Sequence, residues 1–282
     1  MNNLLNKVIL GDCLTVMDEI EDESVDLVII DPPYNVKKKI KNDNLSIDEY
    51  SSFLDQRVKK IFQKMKRTAS LYCFTGYKYE DIVKPVLMKY LIFKRELIWH
   101  YNPQGAFTPT RNYLIECDKI FFMVKTENYK FNIIRKKPSQ KVILRYGQYV
   151  NKEGFLPYNK LTPVIQKRYK SEENYINLGM WSPFHGNQLG NVFLGIHTVS
   201  GTQKQMKIGK HITQKPIELI TNFIKVSSDE GDVVMDCFAG SGSSLVAAKT
   251  LKRNYIGIEI DSDWKDLCDK NINNVITYQK LI

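Results

Sequence analysis

The chain has 282 residues, 43% hydrophobic and 26% charged, with a formal net charge of +10 at pH 7. That length can bury a sizeable core, as one large α/β domain or as a domain with an inserted module, and it excludes a small stapled scaffold. Five scattered cysteines (Cys13, Cys73, Cys117, Cys237, Cys268) with no C-x-x-C pair argue against a disulfide framework or a zinc site, and no apolar run approaches the roughly 18 residues of a membrane span, so a soluble, cytoplasmic protein is expected.

NKVILGDCLTVM starts as a short apolar strand and breaks at Gly11-Asp12, and LTVMDEI is spaced like a short helix, so Asp12 and Cys13 lie just past a strand end. VDLVIIDPPY is a Val/Leu/Ile run stopped by two prolines that cannot continue a ladder, which predicts a buried strand ending at Asp31, Pro32, Pro33 and Tyr34. These four residues suit a clamp for an amino group. An exocyclic amino nitrogen on a base is a poor nucleophile because its lone pair is delocalised into the ring. Asp31 offers a carboxylate acceptor, Pro32 a carbonyl with no N–H of its own to compete, and Tyr34 an aromatic face for a base swung out of its stack. A Pro-Pro turn with a helix-capping Asp is the plainer alternative.

NVKKKIKNDN then carries Lys37, Lys38, Lys39 and Lys41 without hydrophobic period and reads as a basic loop, either a lid or plain surface. From Ser46, the three- and four-residue spacing of Ile47, Tyr50, Phe53, Leu54, Val58, Ile61 and Phe62 predicts an amphipathic helix to Met65 with its stripe in the core. SLYCFTG predicts a strand and a turn at Gly76, YEDIVKPVLMKY a helix strained by Pro85, and KRELIWHYN and CDKIFFMVK an antiparallel pair. The alternation makes this an α/β chain.

The rhythm is lost between about 132 and 190, where Pro and Gly chop the chain but aromatic and Ile/Leu content is too high for disorder; an inserted module is expected there, between segments 1–131 and 191–282. Positive charge concentrates in the same place. Residues 128–215 hold 15 Lys or Arg against three acids, while the rest of the chain holds 26 against 28. With tyrosines, Trp181 and Phe184 interleaved, the segment suits a polyanion, although such a run can also be a solvated face.

Regular structure resumes at HITQKP, where Thr213 suits a helix cap and Pro216 a first turn. VVMDCFAGSGSSLVAAKTL predicts a strand, a turn at Gly240 and Gly242, and a helix; NYIGIEID is a further strand ending at Glu259 and Asp261, followed by a helix from Asp263 to about Ile276. Such a turn brings backbone N–H groups and a helix N-terminus to a ligand, and an acid about 20 residues on, here Glu259, can hold ribose hydroxyls. The third glycine of the dinucleotide fingerprint and the P-loop lysine are both missing, which disfavours NAD and nucleoside triphosphates. A nucleoside-binding half-sheet needs parallel strands beyond the ribose-binding one, and these must come from the amino-terminal Asp12 and Asp31 strands. Asp236, Glu259, Asp12 and Asp31 are therefore expected on one crevice.

In this order D-P-P-Y, an irregular module, T-Q-K-P and D-x-F-x-G-x-G, the chain resembles the beta group of amino-methylating DNA methyltransferases. The resemblance implies an α/β, doubly wound, circularly permuted Rossmann-like methyltransferase sheet, with a target recognition region inserted at 132–190. It implies S-adenosyl-L-methionine as donor, double-stranded DNA as partner, and in many relatives a homodimer or a cognate restriction endonuclease; no membrane partner is expected. Carried over by position, Asp31, Pro32, Pro33 and Tyr34 are the clamp, and Glu259 holds the ribose. Asp12 and Cys13 lie near the adenine. Phe238, Gly240 and Gly242 surround the methionine part, Thr213 and Lys215 hold its carboxylate, and Asp236 faces its amino group. Asp31 borders the cofactor as well as the base. The D-P-P-Y spelling is commoner for adenine N6, and S-P-P-Y for cytosine N4. Ile212 departs from the usual H-P-T-Q-K-P. An RNA or protein methylating enzyme and a non-catalytic nucleic-acid-binding relative are the other classes.

Overall fold

The computed structural model describes residues 3–35, 43–101, 116–134, 192–193 and 214–275, with a few single positions between 159 and 171. The chain divides into two compact units, one of Met1–Asn132 with Asn191–Ile282 and one of Ile133–Gly190. The second lies almost wholly outside the described residues.

The first unit is built on one sheet, in the order β1 (Lys7–Leu10), β8 (Asn254–Glu259), β7 (Val233–Asp236), β2 (Val25–Ile30), β3 (Met65–Thr75), β5 (Cys117–Val124), β4 (Ile92–His100) and β6 (Val192–Phe193). The first five are mutually parallel, and β5 runs antiparallel to both neighbours. The two carboxyl-terminal strands sit between the two amino-terminal ones, so the amino terminus supplies the parallel neighbours expected of it. Parallel pairing puts the carboxyl ends of β1, β8, β7 and β2 on one edge.

β2 is buried along its whole length because helices cover both faces. Val28 and Ile30 join a core with α1 (Cys13–Val16), α2 (Ile47–Lys64) and α3 (Glu80–Met88). On the other face Tyr72 stacks on Phe223 of α4 (Ile217–Ser227), ring centroids 4.4 Å apart, beside α5 (Ser243–Thr250) and α6 (Ser262–Asn273).

α2 opens with a capping box between Ser46 and Glu49. It stops one residue earlier than its apolar spacing predicts, and β3 starts at Met65 rather than near Ser70. The charged stretch Lys66–Arg67 hides the strand pattern, yet Met65 already pairs with Val25, and Lys66 Nζ reaches both oxygens of Asp26 at 2.8 Å. Pro85 lies inside α3 on an exposed face, where water can satisfy the Asp81 carbonyl it frees. Pro216 immediately precedes α4. Among the described residues no helix is long and apolar enough to cross a membrane.

Gly242 begins α5 with φ 81°, and a Cβ there would lie 2.4 Å from Cys268 Sγ on α6. Gly242→Ala is therefore expected to lower stability by about 1–3 kcal/mol, from left-handed backbone strain plus overpacking. Urea denaturation checks this; an unchanged midpoint would show that α5 and α6 are not packed this closely.

Candidate active site at the carboxyl edge of the sheet

Asp31 follows the last residue of β2. Its Oδ2 accepts from Lys215 Nζ at 2.6 Å, while its Oδ1 is enclosed. The Tyr34 hydroxyl is likewise enclosed, with the Asp31 carboxylate as its hydrogen-bonding neighbour. Burial, reinforced by the neighbouring Asp31 carboxylate, pushes the Tyr34 phenol well above its ordinary range and keeps it protonated. Its ring lies on Gly76 at the end of β3, where a Cβ would come within 2.9 Å of Cδ2. Lys215, itself buried, places Nζ 5.1 Å from the Tyr34 ring centroid and 5.2 Å from that of Phe74.

Two residues not singled out from the sequence brace this loop. Tyr50 of α2 donates its hydroxyl to the Pro33 carbonyl at 2.8 Å. Asn35, at φ 54°, donates Nδ2 to the Leu45 carbonyl at 2.8 Å and accepts from Leu45 N–H at 2.6 Å. An Asn two residues after a Pro-Pro pair is a signal for the left-handed conformation. Tyr50 carried none beyond its place in an apolar stripe.

At the end of β1, Gly11 N–H donates to the Glu259 carbonyl at 2.8 Å, and Asp12 caps α1, its Oδ1 accepting from Leu14 N–H at 2.8 Å. Asp12 Oδ2 accepts from Arg57 Nη2 at 3.0 Å. Cys13 is buried.

At the end of β7 the turn is held from inside. Asp236 Oδ1 accepts from Phe238 N–H at 2.9 Å, and its Oδ2 accepts a short bond from Ser244 Oγ. Glu259 Oε2 accepts from Gly240 N–H at 2.7 Å, and Oε1 accepts from Ile260 and Asp261 N–H at 2.9 and 3.0 Å. Asn271 of α6 ties the turn through the Ser241 carbonyl at 2.8 Å. Phe238 lies near Phe53 of α2, ring centroids 6.2 Å apart. Burial drives the Asp236 carboxyl up to about 7, with the Asp31 and Glu259 charges adding to it and the bonds from Ser244 and Phe238 opposing it.

The expected convergence of Asp12, Asp31, Asp236 and Glu259 on one edge is therefore present. Thr213 and the lysine loop from Lys37 to Lys41 lie outside the described residues. No His/Cys/Asp/Glu group among the described residues could hold a metal ion. An edge lined by carboxylates repels phosphates and favours a ligand with cationic groups and hydroxyls.

The DNA methylase family model matches residues 25–270, most of the chain and all of the turn, clamp and α4 elements just described. The chain belongs to this DNA methylase family. Type II methyltransferase M1.MboII of Moraxella bovis is 29% identical over 279 residues, covering 96% of this chain and 98% of that protein. DNA adenine methyltransferase YhdJ of Escherichia coli is 27% identical, covering 93% and 81%. Among solved structures, TTHA0409 of Thermus thermophilus complexed with S-adenosyl-L-methionine superimposes with a TM-score of 0.59 at 18% identity, covering 96% of this chain and 94% of that one. The cytosine-N4-specific PvuII DNA methyltransferase superimposes with a TM-score of 0.64 at 15% identity, covering 97% and 90%. The fold of this DNA methyltransferase is thus the Rossmann-like methyltransferase fold, in permuted strand order.

The Asp236 carboxyl gives a pH signature. Its folded pKa of about 7 stands above the ordinary 3.8, so the stability it contributes is full below about pH 4 and is lost as pH rises through 7. Wild type is expected to lose about 2–4 kcal/mol relative to Asp236→Asn across that window, levelling off above it. Chemical denaturation at a series of pH values measures this, and parallel curves for the two proteins would refute the raised carboxyl.

Proposed function

We propose that this DNA methyltransferase transfers a methyl group to the exocyclic N6 of adenine in duplex DNA, with Asp31 as the principal acceptor for the amino group. One observation carries the proposal: Asp31, held by Lys215 through Oδ2, keeps Oδ1 enclosed beside the Tyr34 hydroxyl, on the same sheet edge as the Gly240–Gly242 turn. A carboxylate oxygen has two lone pairs, so one neighbour leaves it able to accept from an N–H donor.

The methyl donor is S-adenosyl-L-methionine, and the side chains fit it. Glu259 is fixed by three backbone amides, two on Oε1 and one on Oε2, and keeps a lone pair on Oε2 for a ribose hydroxyl. Asp236 borders the cofactor's amino group, Asp12 and Cys13 its adenine, Phe238, Gly240 and Gly242 its methionine part, and Thr213 and Lys215 its carboxylate. When bound, the donor would supply an electrophilic sulfonium methyl group. The chain's own residues do the rest. Residues of the basic 128–215 segment, centred on a target recognition region at 132–190, hold phosphates and position the duplex. The flipped base lies against Tyr34. Asp31 and the Pro32 carbonyl accept the two amino hydrogens and draw the nitrogen toward tetrahedral geometry. Lys215 orients the Asp31 carboxylate through its 2.6 Å contact. Tyr50 and Asn35 hold the loop that carries Pro33 and Tyr34 in place.

The D-P-P-Y spelling and the similarity to the adenine methyltransferase YhdJ favour adenine. Cytosine N4 is the second reading, because the PvuII enzyme shares the fold. The type II relatives make a cognate endonuclease a proposed partner in the cell.

Incubation with duplex DNA and methyl-labelled donor, digestion to nucleosides and mass spectrometry should yield N6-methyladenine; N4-methylcytosine would replace the adenine assignment. Asp31→Ala should lower methyl transfer at least ~100-fold while leaving S-adenosylhomocysteine binding within a few-fold. Substantial transfer by that variant would remove Asp31 from the chemistry.

A further inference from the structure

One face of α2 reaches most of the site. Tyr50 holds Pro33, Phe53 lies by Phe238, and Arg57 holds Asp12; one turn further on Lys60 pairs with Asp18 at 2.5 Å and with the Leu14 carbonyl at 2.6 Å, and Lys64 pairs with Asp22 at 2.6 Å. The last two pairs join each lysine to an exposed acid and brace the α1 segment. Arg57 differs from them. Its side chain is only 9% exposed, its guanidinium lies 3.7 Å over the Phe53 ring centroid, Nη1 donates to the Phe53 carbonyl at 3.2 Å, and Nε is buried without a hydrogen-bond partner among the described residues. Burying a guanidinium with one donor unmet is costly, so its position is dictated by what its remaining donors hold. What Nη2 holds is the Asp12 carboxylate, whose side chain is 37% exposed at the sheet edge. With Leu14 N–H on one oxygen and Arg57 on the other, the plane of that carboxylate is fixed, yet each oxygen retains a lone pair.

We infer that Arg57 is a positioning residue for donor selection: by fixing the Asp12 carboxylate it presents an oriented acceptor to a purine 6-amino group, so that a 6-amino purine is taken and a 6-oxo purine rejected. The inference rests on the assignment of Asp12 and Cys13 to the donor's adenine. A 6-oxo group would set an oxygen against the Asp12 oxygens, an acceptor facing an acceptor. The penalty is large only if Asp12 cannot swing away. Arg57 removes that freedom, and Phe53 beneath the guanidinium removes it from Arg57.

The test is calorimetric binding of S-adenosylhomocysteine and of its 6-oxo analogue, S-inosylhomocysteine, to the full chain. Wild type should prefer the adenosyl ligand by at least tenfold. Arg57→Met, which keeps the contact with Phe53 but donates nothing, should shrink that preference about tenfold. Asp12→Asn should do the same, and the double variant should shrink it no further than either single one, because both act through one contact. Equal weakening of both ligands by Arg57→Met, or an unchanged preference, overturns the inference and leaves Arg57 a brace. Absence of any preference in wild type overturns instead the assignment of Asp12 to the adenine, so the two failures are distinct. Should thermal melting show Arg57→Met unfolded, Arg57→Lys carries the same criteria: a loss of preference of a few-fold supports the inference, and full wild-type preference overturns it.

Discussion

Two parallel pairings, β1 with β8 and β2 with β7, hold this molecule in the form that makes a site possible. Neither joins near neighbours in sequence. Asp26, at the foot of β2, accepts from Val233 N–H at 2.9 Å across 207 positions and also binds Lys66, so one buried carboxylate aligns β7, β2 and β3 at their amino ends. From that alignment the opposite ends follow. Leu10, Ile30, Asp236 and Glu259 finish on one edge because the strands are parallel and in register, and the turns beyond them then face each other.

An edge so rich in acid needs its own settlement of charge. Asp31 has Lys215, Asp12 has Arg57, and Glu259 has three backbone amides. Asp236, the most deeply placed, has only Ser244 and Phe238 as donors among the described residues, and the proton it keeps until about pH 7 takes the place of a counter-charge. The four acids are thus accommodated by three different means: a cation, backbone amides and a retained proton.

Much of this was legible in the sequence, because the features concerned are local. A Val/Leu/Ile run cut by two prolines, a G-x-G turn after a strand and an acid 19 positions beyond Gly240 each declare themselves within a short window. Even the joining of the two ends of the chain in one sheet followed, since a half-sheet lacking parallel neighbours must find them elsewhere in the chain. What escaped were contacts between distant segments. Arg57 lies on α2, where charge ordinarily means solvent, and nothing in its surroundings in sequence points 45 positions back to Asp12. Tyr50 fits an apolar stripe so well that its hydroxyl goes unnoticed. Lys215 was placed by motif at the donor's carboxylate, and its contact with Asp31 arises only from the packing of the start of α4 against the end of β2.

The interleaved sheet also bears on how the protein comes into being. A chain emerging from the ribosome presents β2 with one edge bare until the β7 segment, some 200 residues later, has been made. Such a strand is apolar but for Asp26 and is bound to wait, a slow and aggregation-exposed arrangement. The same delay has a useful side. The Asp31–Tyr34 segment and the Gly240–Gly242 turn lie some 200 residues apart, so an incomplete translation product carries one without the other. A truncated chain therefore lacks the edge on which the four acids meet.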